Sequence, residues 1–179
     1  MIGLTAFFYF NLVLFAVIGG MRGWAKELLI SFSVILALFI IAVIENYLPV
    51  IGPMVTRNPM IQFWMRITIL TLLLIFGYQT PNIPALQGGK GRFRRGNIAD
   101  ALLGIFVGLL NGYLIVGSYW YFIDQANYPY TLISAPVPGT PAGDAALNMI
   151  KYLPPAWLVP PIIFVVLAVF GVIMLVIFL

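Results

Sequence analysis

The run LLISFSVILALFIIAVI, Leu28 to Ile44, contains no charged residue, no proline and no glycine. A hydrocarbon core about 30 Å thick is crossed by roughly 20 predominantly apolar residues in a helix, and extending the run back to Ala25, across Lys26 and Glu27 at its end, reaches that length. Other stretches pass the same test, and five spans are predicted: Ile2–Met21, Ala25–Ile44, Met60–Gln79, Ile98–Ile123 and Ala156–Phe178. Within lipid the backbone must satisfy its own hydrogen bonds, and runs of this length without period-two alternation favour helices over barrel strands. The expected fold class is an all-α polytopic bundle.

Composition agrees, since 63% of the 179 residues are hydrophobic and 8% are charged. Cysteine and histidine are absent. That removes disulfides, thiolate nucleophiles, Cys/His zinc sites, imidazole bases and histidine-ligated haem, so no cofactor and no metal is expected. A net charge of +4 could suggest nucleic acid, but in so apolar a chain basic residues serve topology and lipid contact better. No basic residue precedes the first apolar run and no A-x-A site follows it, so that run reads as a retained span.

Orientation follows from Lys and Arg, which cytoplasmic loops retain during insertion. Arg22 and Lys26 lie between the first two spans, and Lys90, Arg92, Arg94 and Arg95 lie between the third and fourth. The N-terminus is therefore predicted outside and the C-terminus cytoplasmic. Trp24 then falls at one membrane boundary, with Trp64, Trp120 and Trp157 near the other, where amphipathic rings prefer to sit.

Three segments are expected: a four-span core at 1–124, an extracytoplasmic proline-rich loop at 125–155, and a fifth span at 156–179. Within the loop, Thr140 and Pro141 are placed to cap and start a short surface helix, with Leu147, Ile150 and Leu153 at helical spacing.

Gly104, Gly108 and Gly112 recur every four residues, on one helical face, where missing side chains let a second backbone approach. Asp100 begins the same stripe one turn earlier, at a helix N-terminus that favours an anion. Arg22, ending the first span, should lie at the same depth. The positive-inside rule accounts for Arg22 and Lys26 by itself; the sharper expectation is an Arg22–Asp100 ion pair selecting which helix meets the glycines. At the opposite end snorkelling suffices to keep Arg66 wet, and a Glu45–Arg66 contact is the alternative. Asn11 and Asn111 fall at middling depth, where amides form interhelical hydrogen bonds worth about 0.6 kcal/mol on average. The loop QGGKGRFRRGN lacks the G-x-x-x-x-G-K-[ST] spacing of a phosphate loop, so Lys90, Arg92, Arg94 and Arg95 are expected to contact anionic lipid headgroups, at about 1 kcal/mol each.

RGWAKE, Arg22 to Glu27, resembles the R-G-x-x-[RK]-E element in the first cytoplasmic turn of the CvpA (colicin V production) family. Asp100, Gly104, Gly108 and Gly112, followed by Leu114, Ile115 and Val116, are similar to that family's fourth-span signature. The resemblance covers about residues 1–124. Ala101 stands where the family often has a basic residue, and this chain adds a loop and a fifth span. The resemblance implies an integral protein of the bacterial inner membrane, linked to toxin production or export, with no catalytic residues to carry over.

Three function classes compete. An enzyme is disfavoured because Asp100, Asp124 and Asp144 are scattered and no nucleophile has an evident base. A small-solute or ion transporter or channel, acting as an oligomer, needs polar groups at mid-bilayer, where the sequence offers Asn11, Asn111, Ser33, Thr68 and Thr71. The preferred reading is a scaffold or accessory protein that packs against other membrane subunits, for which a respiratory or photosynthetic complex is one fitting host.

Overall fold

A computed structural model describes residues 4–79, 98–130 and 133–178. Among these residues every regular element is a helix: α1 (Leu4–Arg22), α2 (Trp24–Tyr47), α3 (Ile51–Thr56), α4 (Pro59–Tyr78), α5 (Ile98–Gln125), α6 (Pro141–Ile150), α7 (Pro154–Trp157) and α8 (Ile162–Phe178). Four of them, α1, α2, α4 and α5, are long and apolar enough to cross a membrane.

The helix ends follow local chemistry. The α1–α2 turn is a single residue, Gly23, at φ 86° and ψ 149°, a region open essentially to glycine alone. Asn58 caps α4, its side-chain oxygen accepting from the Met60 and Ile61 amides at 3.0 and 3.3 Å. Pro59 follows at the first helical position, where no amide hydrogen is needed. Thr140 caps α6 by accepting from the Gly143 amide at 3.1 Å, while Asp144 reaches back to the Gly139 amide at 2.9 Å. The capped helix buries Ala146 and Ile150 against Phe8 and Trp120.

The last helix begins later than its apolar run predicts. Pro154–Trp157 forms only one turn, and Pro160 and Pro161 interrupt the chain before Ile162. Prolines supply no amide hydrogen and clash with a preceding turn, so α8 holds 17 residues, about 25 Å at 1.5 Å per residue.

The core forms around α2, whose Ile30, Val34, Ile35, Ala37, Leu38 and Ile41 are buried against α4, α5 and the start of α8. Helix α1 stands outside this core and packs chiefly on α5. The contact is backbone on backbone: a Cβ added at Gly19 would lie 2.7 Å from the Gly108 Cα, and one at Gly112 would lie 3.0 Å from the Phe15 Cβ. A Cβ at Gly104 or Gly108 would strike the Gly19 or Phe15 carbonyl oxygen, respectively. Any larger side chain on this face would separate the helices. Trp120, expected at a headgroup boundary, is instead buried, while Trp64 and Trp157 are exposed.

Candidate functional site

The polar interior is divided between the two ends of the bundle. At the Gly23 end Glu27, in the first turn of α2, is fully enclosed. An acid suits a helix N-terminus and Arg22 suits the C-terminus of α1, so the glycine turn carries both charges where the helix dipoles favour them. Arg22 Nη1 donates to Glu27 Oε1 at 3.1 Å, and its guanidinium lies 4.6 Å from the centre of the Tyr78 ring on α4.

Asn111 of α5 completes the cluster. Its Nδ2 donates to Glu27 Oε2 at 2.8 Å and to the Glu27 main-chain oxygen at 2.9 Å. Its Oδ1 accepts from Ser31 Oγ at 2.7 Å. Both amide hydrogens and the carbonyl oxygen therefore have partners, as a buried amide requires. One carboxylate thus gathers groups from α1, α2 and α5 beneath a ring from α4.

This arrangement corrects the expected Arg22–Asp100 pair. Among the described residues the ion pairs are Arg22–Glu27 and Arg66–Glu45. Asp100 does reach the α1–α2 turn, its Oδ2 lying 3.2 Å from where a Gly23 Cβ would stand. The guanidinium, however, turns toward the enclosed carboxylate, where lower dielectric makes the attraction stronger. Glu27 had a legible signal, an acid at the mouth of an apolar run five residues after an arginine. Its link to Asn111 spans 84 positions and had none.

At the Tyr47 end the Glu45–Arg66 contact forms, so snorkelling alone does not describe Arg66. Arg66 Nε donates to Glu45 Oε1 at 2.7 Å and Nη2 to Oε2 at 2.9 Å, the forked geometry that makes arginine–carboxylate pairs strong. Gln62 Nε2 adds a bond to Oε1 at 3.0 Å, and the guanidinium sits 5.3 Å from the Phe122 ring centre. The Arg66 and Glu45 side chains are 14% and 13% exposed. Both line a cleft of about 530 Å³.

The two asparagines part company. Asn11 Nδ2 donates to the Phe7 carbonyl of its own helix at 2.8 Å, which corrects the expectation of an interhelical bond there. Beyond α5, Tyr128 accepts from Trp120 Nε1 at 3.2 Å, and burial pushes its phenol up to about 12. Lys90, Arg92, Arg94 and Arg95 lie outside the described residues.

No protein-family model, no curated protein and no solved structure matches the chain.

Proposed function

We propose that this chain is a non-catalytic scaffold or accessory protein of a bacterial inner membrane. It crosses five times, with its N-terminus outside and its C-terminus cytoplasmic, and packs against other membrane subunits while its 90–95 loop holds anionic lipid. The observation that carries this reading is the fate of the carboxylates at the two ends of the bundle. Glu27 and Glu45 are each held by an arginine and a side-chain amide within this chain, so the enclosed charge fastens helices together. The outward faces are apolar by contrast, with Phe10, Val13 and Val17 on α1 and Val165, Val169, Val172 and Val176 on α8 exposed. Contiguous apolar surface of this kind suits lipid or subunit contact.

Kinship with the CvpA family rests on RGWAKE and the Asp100–Gly112 series. What supports reading the two motifs together is that Gly23 of the first meets Asp100 of the second, while Gly19, just before the first, meets Gly104 and Gly108. Five crossings make α8 a span despite its length; tilt is unnecessary for a short helix, and local thinning of the bilayer accommodates the mismatch at modest cost.

Purification in a mild detergent tests the proposal. The expected result is a stable complex with other membrane subunits in fixed ratio. A protein that purifies alone and moves a solute across liposomes would replace it with the second reading, an oligomeric transporter. The observation favouring that alternative is Glu27 itself, because an enclosed ionisable residue in a membrane helix often marks a pathway.

A further inference from the structure

At the Tyr47 end the ion pair borders a cleft, and its charges still have bonding capacity. A guanidinium carries five N–H donors and a carboxylate about four acceptor positions. Arg66 uses Nε and Nη2 on Glu45, and Glu45 accepts from Arg66 and Gln62. Arg66 Nη1 and part of the Glu45 carboxylate are left for a ligand. The pair is neutral as a unit, so a lone anion meets Glu45 as well as Arg66, and a lone cation meets the reverse. A ligand carrying both charges, laid antiparallel to the pair, satisfies both without a net repulsion.

The rest of the wall selects for an apolar body. Leu38, Ile41 and Ala42 of α2 and Leu158 face the same space, and the volume of about 530 Å³ falls within the roughly 300–1,000 Å³ usual for small-ligand sites. Arg66 is the eighth residue of α4, about 10 Å along its axis, which is a depth suited to a lipid headgroup drawn slightly below its neighbours.

We propose that this cleft binds a zwitterionic aminophospholipid, its phosphate on Arg66, its ammonium on Glu45 and one acyl chain along Ile41 and Leu158. The site is independent of whether the protein joins a larger complex.

The test uses the full chain in detergent, titrated with phosphatidylethanolamine and phosphatidylglycerol of identical chains and followed by native mass spectrometry. The basic 90–95 loop attracts anionic lipid by itself, so the reading is the difference between wild type and the Glu45→Gln/Arg66→Gln protein. Phosphatidylethanolamine is expected to weaken roughly tenfold in the double variant, with phosphatidylglycerol unchanged. Equal effects on both lipids, or none on either, would overturn the proposal. Should the double variant not fold, a photoactivatable phosphatidylethanolamine on the wild-type chain is expected to label residues 38–47 and 155–160, and labelling confined elsewhere overturns it. Displacement by an equal concentration of soluble glycerophosphoethanolamine would assign the site to a free zwitterion and overturn the lipid assignment.

Discussion

The two ends of the bundle hold the same ingredients, a glutamate, an arginine, a side-chain amide and an aromatic ring, yet use them differently. At the Gly23 end the carboxylate is sealed, its two oxygens divided between Arg22 and Asn111. At the Tyr47 end both carboxylate oxygens face one guanidinium in a fork, and the pair borders a cleft. The difference teaches that the enclosure of the carboxylate, more than residue type, decides what an ion pair between helices does. The enclosed Glu27 carboxylate has no solvent to turn to, so removing Arg22, whose own side chain is 23% exposed, strands the acid in low dielectric. An accessible pair can exchange a lost partner for water or a ligand.

The largest expected effect is therefore at the sealed end. Glu27→Ala removes the partner of Arg22 and of one Asn111 amide hydrogen, leaving only the Asn111 bond to the residue 27 main-chain oxygen, and is expected to destabilise the protein by about 3–4 kcal/mol, seen as a large drop in melting temperature in detergent. Close behind comes Gly108→Leu, which drives a side chain into the Phe15 carbonyl and Gly19. It should cost about 1–3 kcal/mol or more and release α1 to proteolysis while the α2 core stays protected. Arg66→Lys keeps the charge and loses the fork, for an expected loss of about 1.5 kcal/mol. A loss at that site matching Glu27→Ala would erase the contrast between the two ends. Thr140→Ala removes a cap worth about 1 kcal/mol, confined to α6 by hydrogen exchange. Smallest is Asn11→Leu, within about 0.5 kcal/mol, because its amide bonds only its own helix.

The pair of asparagines shows what a sequence can and cannot specify. Both sit at similar depth in apolar runs, and only the rotation of each helix decides that Asn111 reaches α2 while Asn11 does not. The long spans were legible because bilayer thickness is a one-dimensional ruler, and Thr140-Pro141 was legible as a start because capping is local. The glycine stripe announced a close contact through its spacing. Its partner was visible only in part, since matching Gly19 to Gly108 requires the relative shift of two helices. The Arg22 partner failed for a related reason: depth placed Asp100 nearby, but the side chain's direction across the Gly23 turn favoured the enclosed Glu27. The start of α8 failed because hydropathy averages over Pro160 and Pro161, whereas helix formation does not.

A double-mutant cycle between Arg22 and Glu27, using Arg22→Gln, Glu27→Gln and the combined protein, measures most directly whether the sealed carboxylate fastens the bundle. The account predicts a coupling of about 2 kcal/mol, within the range for residues in direct contact, with the double variant more stable than the sum of the single losses implies. Additive losses, with no coupling beyond about 0.5 kcal/mol, would contradict it.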